Sequence, residues 1–163
     1  MRKIAVVLVT VAIGALTCAG CSKKDEKREG SQPSGNNGTV SKKETVVKVP
    51  EIVIGKWKAV KIAVTDKTAG KETVYTVDVG GQMALPNSDL TLKVETFLPH
   101  FIMEGASLTS QTNEPKNPAV LIKIFQGGKE VFKGWLFTLY PTTHAFQNPR
   151  FTFALVDFVP TGK

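Results

Sequence analysis

Leu90-Thr91-Leu92-Lys93-Val94-Glu95-Thr96-Phe97-Leu98 is the stretch that sets the fold class. Successive side chains of an extended chain point to opposite sides, so Leu90, Leu92, Val94, Thr96 and Leu98 share one face and Thr91, Lys93, Glu95 and Phe97 the other. The first face is apolar and predicts a half-buried strand. On the N-terminal side Val60, Ile62 and Val64 alternate with Lys61 and Ala63, a polar loop with Gly70 spans 65–71, and Thr73 to Val79 resumes strand character, which predicts a hairpin. Trp57 is out of phase with Val60, so a bulge is expected near Lys58 and Ala59. Gly80 and Gly81 then interrupt the chain.

On the C-terminal side Val120, Ile122 and Ile124 mark another strand, and Gly127-Gly128 turns it into a strand over 131–139. Phe151, Phe153 and Leu155 alternate with Thr152, Ala154 and Val156 in a final one. No stretch holds a period of 3.6. The expected fold is all-β: a single antiparallel sandwich or small, partly open barrel of six to seven strands over residues 51–163.

Residues 22–50 have a different composition. They are charged at first, then rich in Ser, Gly, Asn and Pro, and they hold no aromatic residue. Such a segment cannot bury a core and is expected to be a disordered linker. As a flexible coil of about 29 residues it would span on the order of 30 Å.

Ahead of the linker, Arg2 and Lys3 precede an apolar run from Ile4 to Leu16, with Ala19 and Gly20 just before Cys21. The run is shorter than the roughly 20 apolar residues of a spanning helix. This arrangement resembles the lipobox signal peptide of a bacterial lipoprotein. The resemblance implies that residues 1–20 are removed and that Cys21 carries the lipid, palmitate or a related acyl chain. Cys18 stands where the pattern usually has Leu, and Thr17 suits a cleavage site before Cys18 less well than Ala19-Gly20 suits one before Cys21. Several acyl chains would make membrane attachment close to permanent, each buried methylene contributing about 0.8 kcal/mol. Ser22 in place of Asp is similar to the default outer-membrane pattern, which implies an envelope location at the outer membrane facing the periplasm rather than at the inner membrane.

The formal charge of +7 divides unevenly. Residues 22–50 carry seven basic and four acidic side chains, and residues 51–163 carry 12 basic and 10 acidic, so the β domain is at only +2. A folded cationic surface for nucleic acid is not expected. With Cys18 removed and Cys21 acylated, the domain has no thiol. That argues against cysteine nucleophiles, thiolate zinc sites and iron–sulfur clusters, and the fold must rest on its hydrophobic core.

Two segments without strand alternation are the places where function could reside. The first, Pro99 to Pro118, starts apolar with Phe101, Ile102 and Met103 and continues with Ser107, Thr109, Ser110, Gln111, Thr112 and Asn113. It is expected to be the longest loop, packed at its apolar start and facing water beyond it. The second follows Gly134-Trp135-Leu136-Phe137 and contains Tyr140, His144, Phe146, Gln147 and Arg150. Aromatic residues and Arg are enriched at interface centres, so these five form the candidate partner surface. Trp135, Phe137, Phe151 and Phe153 are assigned to core packing, and Arg150, the only Arg after residue 28, could equally satisfy loop carbonyls.

The Gly-Trp-Leu-Phe segment, the proline after it and the Asn148-Pro149-Arg150-Phe151 approach to the last strand resemble a proteobacterial envelope domain family of unknown function, over residues 57–158. Members often carry His where Asn148 stands. The resemblance implies an exported, membrane-associated domain and supplies no catalytic residue.

His100, Met103 and His144 are the nearest approach to a metal-ligand set, since imidazole and thioether suit copper, but they lie on separate loops and no metal or other cofactor is assigned. Ser107 and Ser110 lack a nucleophile elbow, and Glu95, Glu104 and Glu114 lack a glycosidase pairing. The expected function is therefore non-catalytic: a lipoprotein attached to the membrane through Cys21, whose β domain is an interaction or assembly module for an envelope protein. A carrier or sensor of a small apolar ligand is the alternative, with an envelope enzyme behind it.

Overall fold

The computed structural model describes residues 45–162. The expected signal peptide, Cys21 and most of the expected linker lie outside the described residues. The chain is all-β among those residues, with ten strands: β1 (Val46–Val47), β2 (Trp57–Asp66), β3 (Lys71–Asp78), β4 (Gln82–Ala84), β5 (Leu90–Leu98), β6 (Phe101–Glu104), β7 (Ser107–Ser110), β8 (Ala119–Gln126), β9 (Lys129–Phe137) and β10 (Phe151–Pro160). Six of them are eight to ten residues long and build the body.

Two antiparallel sheets, ordered β10-β2-β3 and β4-β5-β8-β9, share one buried cluster. Val60, Ile62, Val64, Val77, Phe151, Phe153 and Leu155 come from the first sheet, and Leu90, Leu92, Val94, Phe97, Val120, Ile122, Ile124 and Leu136 from the second. This is the two-sided core of a sandwich whose edges stay open. Gly80-Gly81 is the corner between the sheets. Val79 N–H still bonds Lys58 of the first sheet, whereas Gly80 N–H bonds the Val94 carbonyl and Val94 N–H bonds the Gly81 carbonyl in the second. Gly80 has φ +84, open to glycine at little cost.

Bulges reset the alternation where the aromatic residues enter. Lys58 is an extra residue on β2 opposite β10, Val156 is extra on β10 opposite β2, and Glu95 is extra on β5 opposite β8. Each extra residue shifts the side-chain phase by one. As a result Trp57, Phe97 and Phe158 all turn inward, with ring centroids 5.1 to 5.3 Å apart. The bulge expected near Lys58 is present. The unbroken alternation expected from Leu90 to Leu98 is not, because Glu95 sends Phe97 into the main core and leaves Thr96 and Leu98 on the opposite face.

That opposite face is covered by a third, small sheet of order β1-β7-β6. Phe101 of β6 stacks edge-on against Trp135 and Phe137 at 5.0 and 5.1 Å, and Leu98 is fully buried. The segment 99–118 expected as one long loop thus contains the β6–β7 hairpin. Ser110, expected to face water, is buried. β1 joins this sheet in parallel to β7, with Val46 N–H on the Ala106 carbonyl and Lys48 N–H on the Leu108 carbonyl. Its residues fall inside the stretch assigned to the linker.

The hairpins expected at 65–71 and at Gly127-Gly128 both form. The second is tight, with φ +55 and +84 at its two glycines. Gly134 serves packing instead. A Cβ there would overlap the Phe132 ring, which lies over the glycine in the edge strand β9.

Candidate functional site

The connection from β9 to β10 is held to the body at its C-terminal end. Asn148 Oδ1 accepts the backbone N–H groups of Arg150 and Phe151, both at 2.9 Å, an Asx-type turn that delivers the chain into β10. Arg150 then clasps the end of the β2–β3 hairpin. Its Nε and Nη2 donate to Asp66 Oδ2 at 3.0 and 2.7 Å, and Nη1 donates to the Asn87 carbonyl at 3.1 Å. The guanidinium also lies 4.6 Å from the Phe151 ring centre. Asn87 adopts φ +56, a conformation Asn tolerates, which turns its carbonyl to the arginine.

The second oxygen of Asp66 accepts the backbone N–H groups of Thr68 and Ala69. With Arg150 foremost and Thr68 next, these donors hold the Asp66 carboxyl well below the usual carboxylate range, and the carboxylate in turn raises Arg150. Lys67 adds its Nζ to the Asn148 carbonyl and its N–H to the Arg150 carbonyl. Of the two roles open to Arg150, the structure shows the one in which it ties loops together. Asp66 and Asn87 were not singled out in the sequence, although Asp66-Lys67-Thr68 has the form of an Asx turn.

Phe146 points inward. Its ring lies 5.2 Å from Phe132 on β9 and 6.0 Å from Phe153 on β10, so it plugs the open side of the sandwich between these edge strands. Tyr140, His144 and Gln147 are exposed. His144 ends the turn that starts at Tyr140, with φ +54, and Gln147 Nε2 donates to the Ala145 carbonyl. Leu139, beside Tyr140, was not among the candidates, yet the two are 54% and 59% exposed. The candidate partner surface therefore splits into Phe146, packed against the core, Arg150, tied at the surface to Asp66 and Asn87, and an outward set, Tyr140, His144 and Gln147, joined by Leu139.

His100, from the other segment, is built into a backbone network. Its N–H donates to Ser110 Oγ at 2.8 Å, Ser110 Oγ donates to the Thr112 carbonyl at 2.9 Å, and His100 Nδ1 lies 3.2 Å from Thr112 Oγ1. Met103 is exposed on the edge strand β6. Among the described residues no group of three or more His, Cys, Asp or Glu stands together to hold a cation. Glu95 and Glu114 are each paired with a lysine, Lys93 at 2.7 Å and Lys116 at 3.0 Å.

Concavities are open to solvent. One of about 200 Å³ lies beside the Arg150–Asp66 clasp and is walled by Tyr75, Leu85 and Phe151, below the roughly 300–1,000 Å³ common for small-molecule sites. A larger trough of about 410 Å³ is bounded by Lys56, Trp57, Asn113 and Thr161. Trp57 Nε1 donates to Asn113 Oδ1 there at 2.8 Å. The space between the two main sheets is filled by side chains: Val60, Ile62, Leu92, Val94, Val120, Ile122 and Ile124 are all fully buried. In comparisons with protein-family models, curated proteins and solved structures, nothing matches this chain.

Proposed function

We propose that the protein is a bacterial lipoprotein, attached through lipid on Cys21 at the periplasmic face of the outer membrane, whose β domain is a non-catalytic interaction module for an envelope protein. Its partner-facing part is the rim formed by Leu139, Tyr140, His144 and Gln147. The observation that carries this reading is the exposure of Leu139 and Tyr140 side by side on a connection pinned by Phe146, Asn148 and Arg150. An aromatic anchor held on a fixed support loses little conformational freedom on binding, which is how a small surface supplies affinity.

The filled interior also favours recognition at the surface over carriage of an apolar ligand between the sheets. Ser110, one of the serines a hydrolase could use, is engaged with the Thr112 carbonyl within the fold.

A photo-crosslinking residue at position 140, in intact cells, tests the reading against the same residue at Val74, which is exposed on β3. A discrete protein adduct at 140, absent at 74 and lost when Cys21→Ser releases the chain from the membrane, is the expected result. Equal adducts at both positions would reject the rim as the recognition surface.

A further inference from the structure

Where the chain enters the domain, apolar side chains stand in water beside lysines. The turn after Pro50 is closed by Val53 and Ile54 N–H groups on the Pro50 carbonyl and by Lys56 N–H on the Val53 carbonyl. Gly55, at φ +70, ends it. Val53 is buried at 3% exposure, so the turn is fixed to the body, while its neighbours Ile52 and Ile54 are 52% and 60% exposed. Branched aliphatic side chains presented on a fastened turn are costly in water unless something covers them. Along the chain from 45 to 58, Lys48, Lys56 and Lys58 are exposed and Glu51 is the one exposed carboxylate, with exposed Asp78 opposite Ala59 on β3.

We infer that the Pro50–Lys56 turn is the part of the domain that rests on an anionic lipid surface, with Ile52 and Ile54 entering the headgroup layer and Lys48, Lys56 and Lys58 lying over the phosphates. Two features select lipid as the occupant. The local charge is positive, as an anionic surface requires. The turn also stands within a few residues of where the linker joins the domain, so a lipid on Cys21 would keep this part of the domain within about 30 Å of the membrane. The inference rests on the lipoprotein reading for that second feature. Aliphatic residues reach the acyl boundary while lysine stems let their ammonium groups stay at the headgroups. The turn would then fix the orientation of a domain that the linker alone leaves free to tumble, with the rest of its surface available to partners.

The test uses the full acylated chain, purified from membranes and reconstituted in vesicles of phosphatidylcholine with or without phosphatidylglycerol. An environment-sensitive fluorophore is placed on Ile54→Cys or, as control, on Tyr140→Cys. Quenching by spin-labelled lipid several-fold stronger at 54 than at 140, dependent on phosphatidylglycerol and weakened by salt, is expected. Equal quenching at the two sites in a chain that floats with the vesicles overturns the inference and leaves the anchor standing. A chain that does not float overturns the anchor, and the 54 label on added anionic vesicles then reads the turn alone, with absence of quenching rejecting it. A spectral shift at 54 that grows with protein concentration in detergent without vesicles would assign the turn to a second copy and also reject lipid.

Discussion

Between Leu98 and Ala119 the chain folds back as β6 and β7 and buries Ser110, whereas between Phe137 and Phe151 it forms no strand. Both stretches break the period-two alternation, and both are rich in Pro and Thr, yet they are stabilised differently. In the first, short strands gain support from distant elements: β1 lies along β7, and Phe101 covers Trp135 and Phe137. In the second, side chains replace a ladder: Asn148 caps the entry to β10, Arg150 clasps Asp66 and Asn87, and Phe146 seals the seam. Irregular sequence thus served as core cover in one place and as a pinned rim in the other, and of the two only the rim leaves adjacent large hydrophobic side chains, Leu139 and Tyr140, in water.

The difference is open to direct attack. Phe101→Ala should have the largest effect, a loss of about 3 kcal/mol in urea unfolding, because it uncovers Trp135 and Phe137 together. A change below about 0.5 kcal/mol would mean that the β6–β7 hairpin is not part of the core. Ser110→Ala comes next, at about 1–3 kcal/mol, since the His100 N–H and the Thr112 carbonyl lose their buried partner. Hydrogen exchange at His100 should quicken while the β2–β3 amides keep their protection.

For the rim's support, Arg150→Gln should lower the melting temperature by several degrees at pH 7 and flatten its acid dependence. Asp66 is held below its unfolded pKa of about 3.9. Below that value the unfolded chain takes up a proton that the folded one does not, so stability falls as pH falls. The contribution is complete above about pH 5 and disappears as pH descends through the folded value. Wild type should therefore lose more stability than Arg150→Gln from pH 5 downward; parallel curves would remove the clasp as a stabilising element. Glu95 and Asp157, lowered by Lys93 and Lys61, retain their share of the slope in both proteins. The smallest effect belongs to Tyr140→Ala, within about 0.5 kcal/mol by thermal unfolding. A larger loss would place Tyr140 with Phe146 as a structural residue.

The sequence made some of this legible and hid the rest for identifiable reasons. The hairpins at Gly70 and at Gly127-Gly128 could be read because turn chemistry is local. The bulge at Lys58 could be read because Trp57 stood out of phase with Val60. The bulge at Glu95 could not, since Thr96 and Leu98 continue the apolar row from Leu90 without a visible break, and the choice between Leu98 and Phe97 for the main core depends on the register with Leu121. At the candidate surface, aromatic and Arg content singled out one connection without separating its packed residues from its exposed ones. The partner of Arg150 lies 84 residues away in the chain, and no local pattern reports a contact at that separation.

By itself, the sequence determined strand character, the main turns and the division between a polar N-terminal stretch and a β domain, because these follow from side-chain period and backbone preference within a few residues. Only the tertiary structure decided that residues 99–118 contain a hairpin, that Phe101 covers a second face of the β4-β5-β8-β9 sheet, that Arg150 is tied to Asp66 while Phe146 packs inward and that Ile52 and Ile54 face out. Those outcomes depend on which strand lies beside which, and a bulge of a single residue is enough to exchange the buried face for the exposed one.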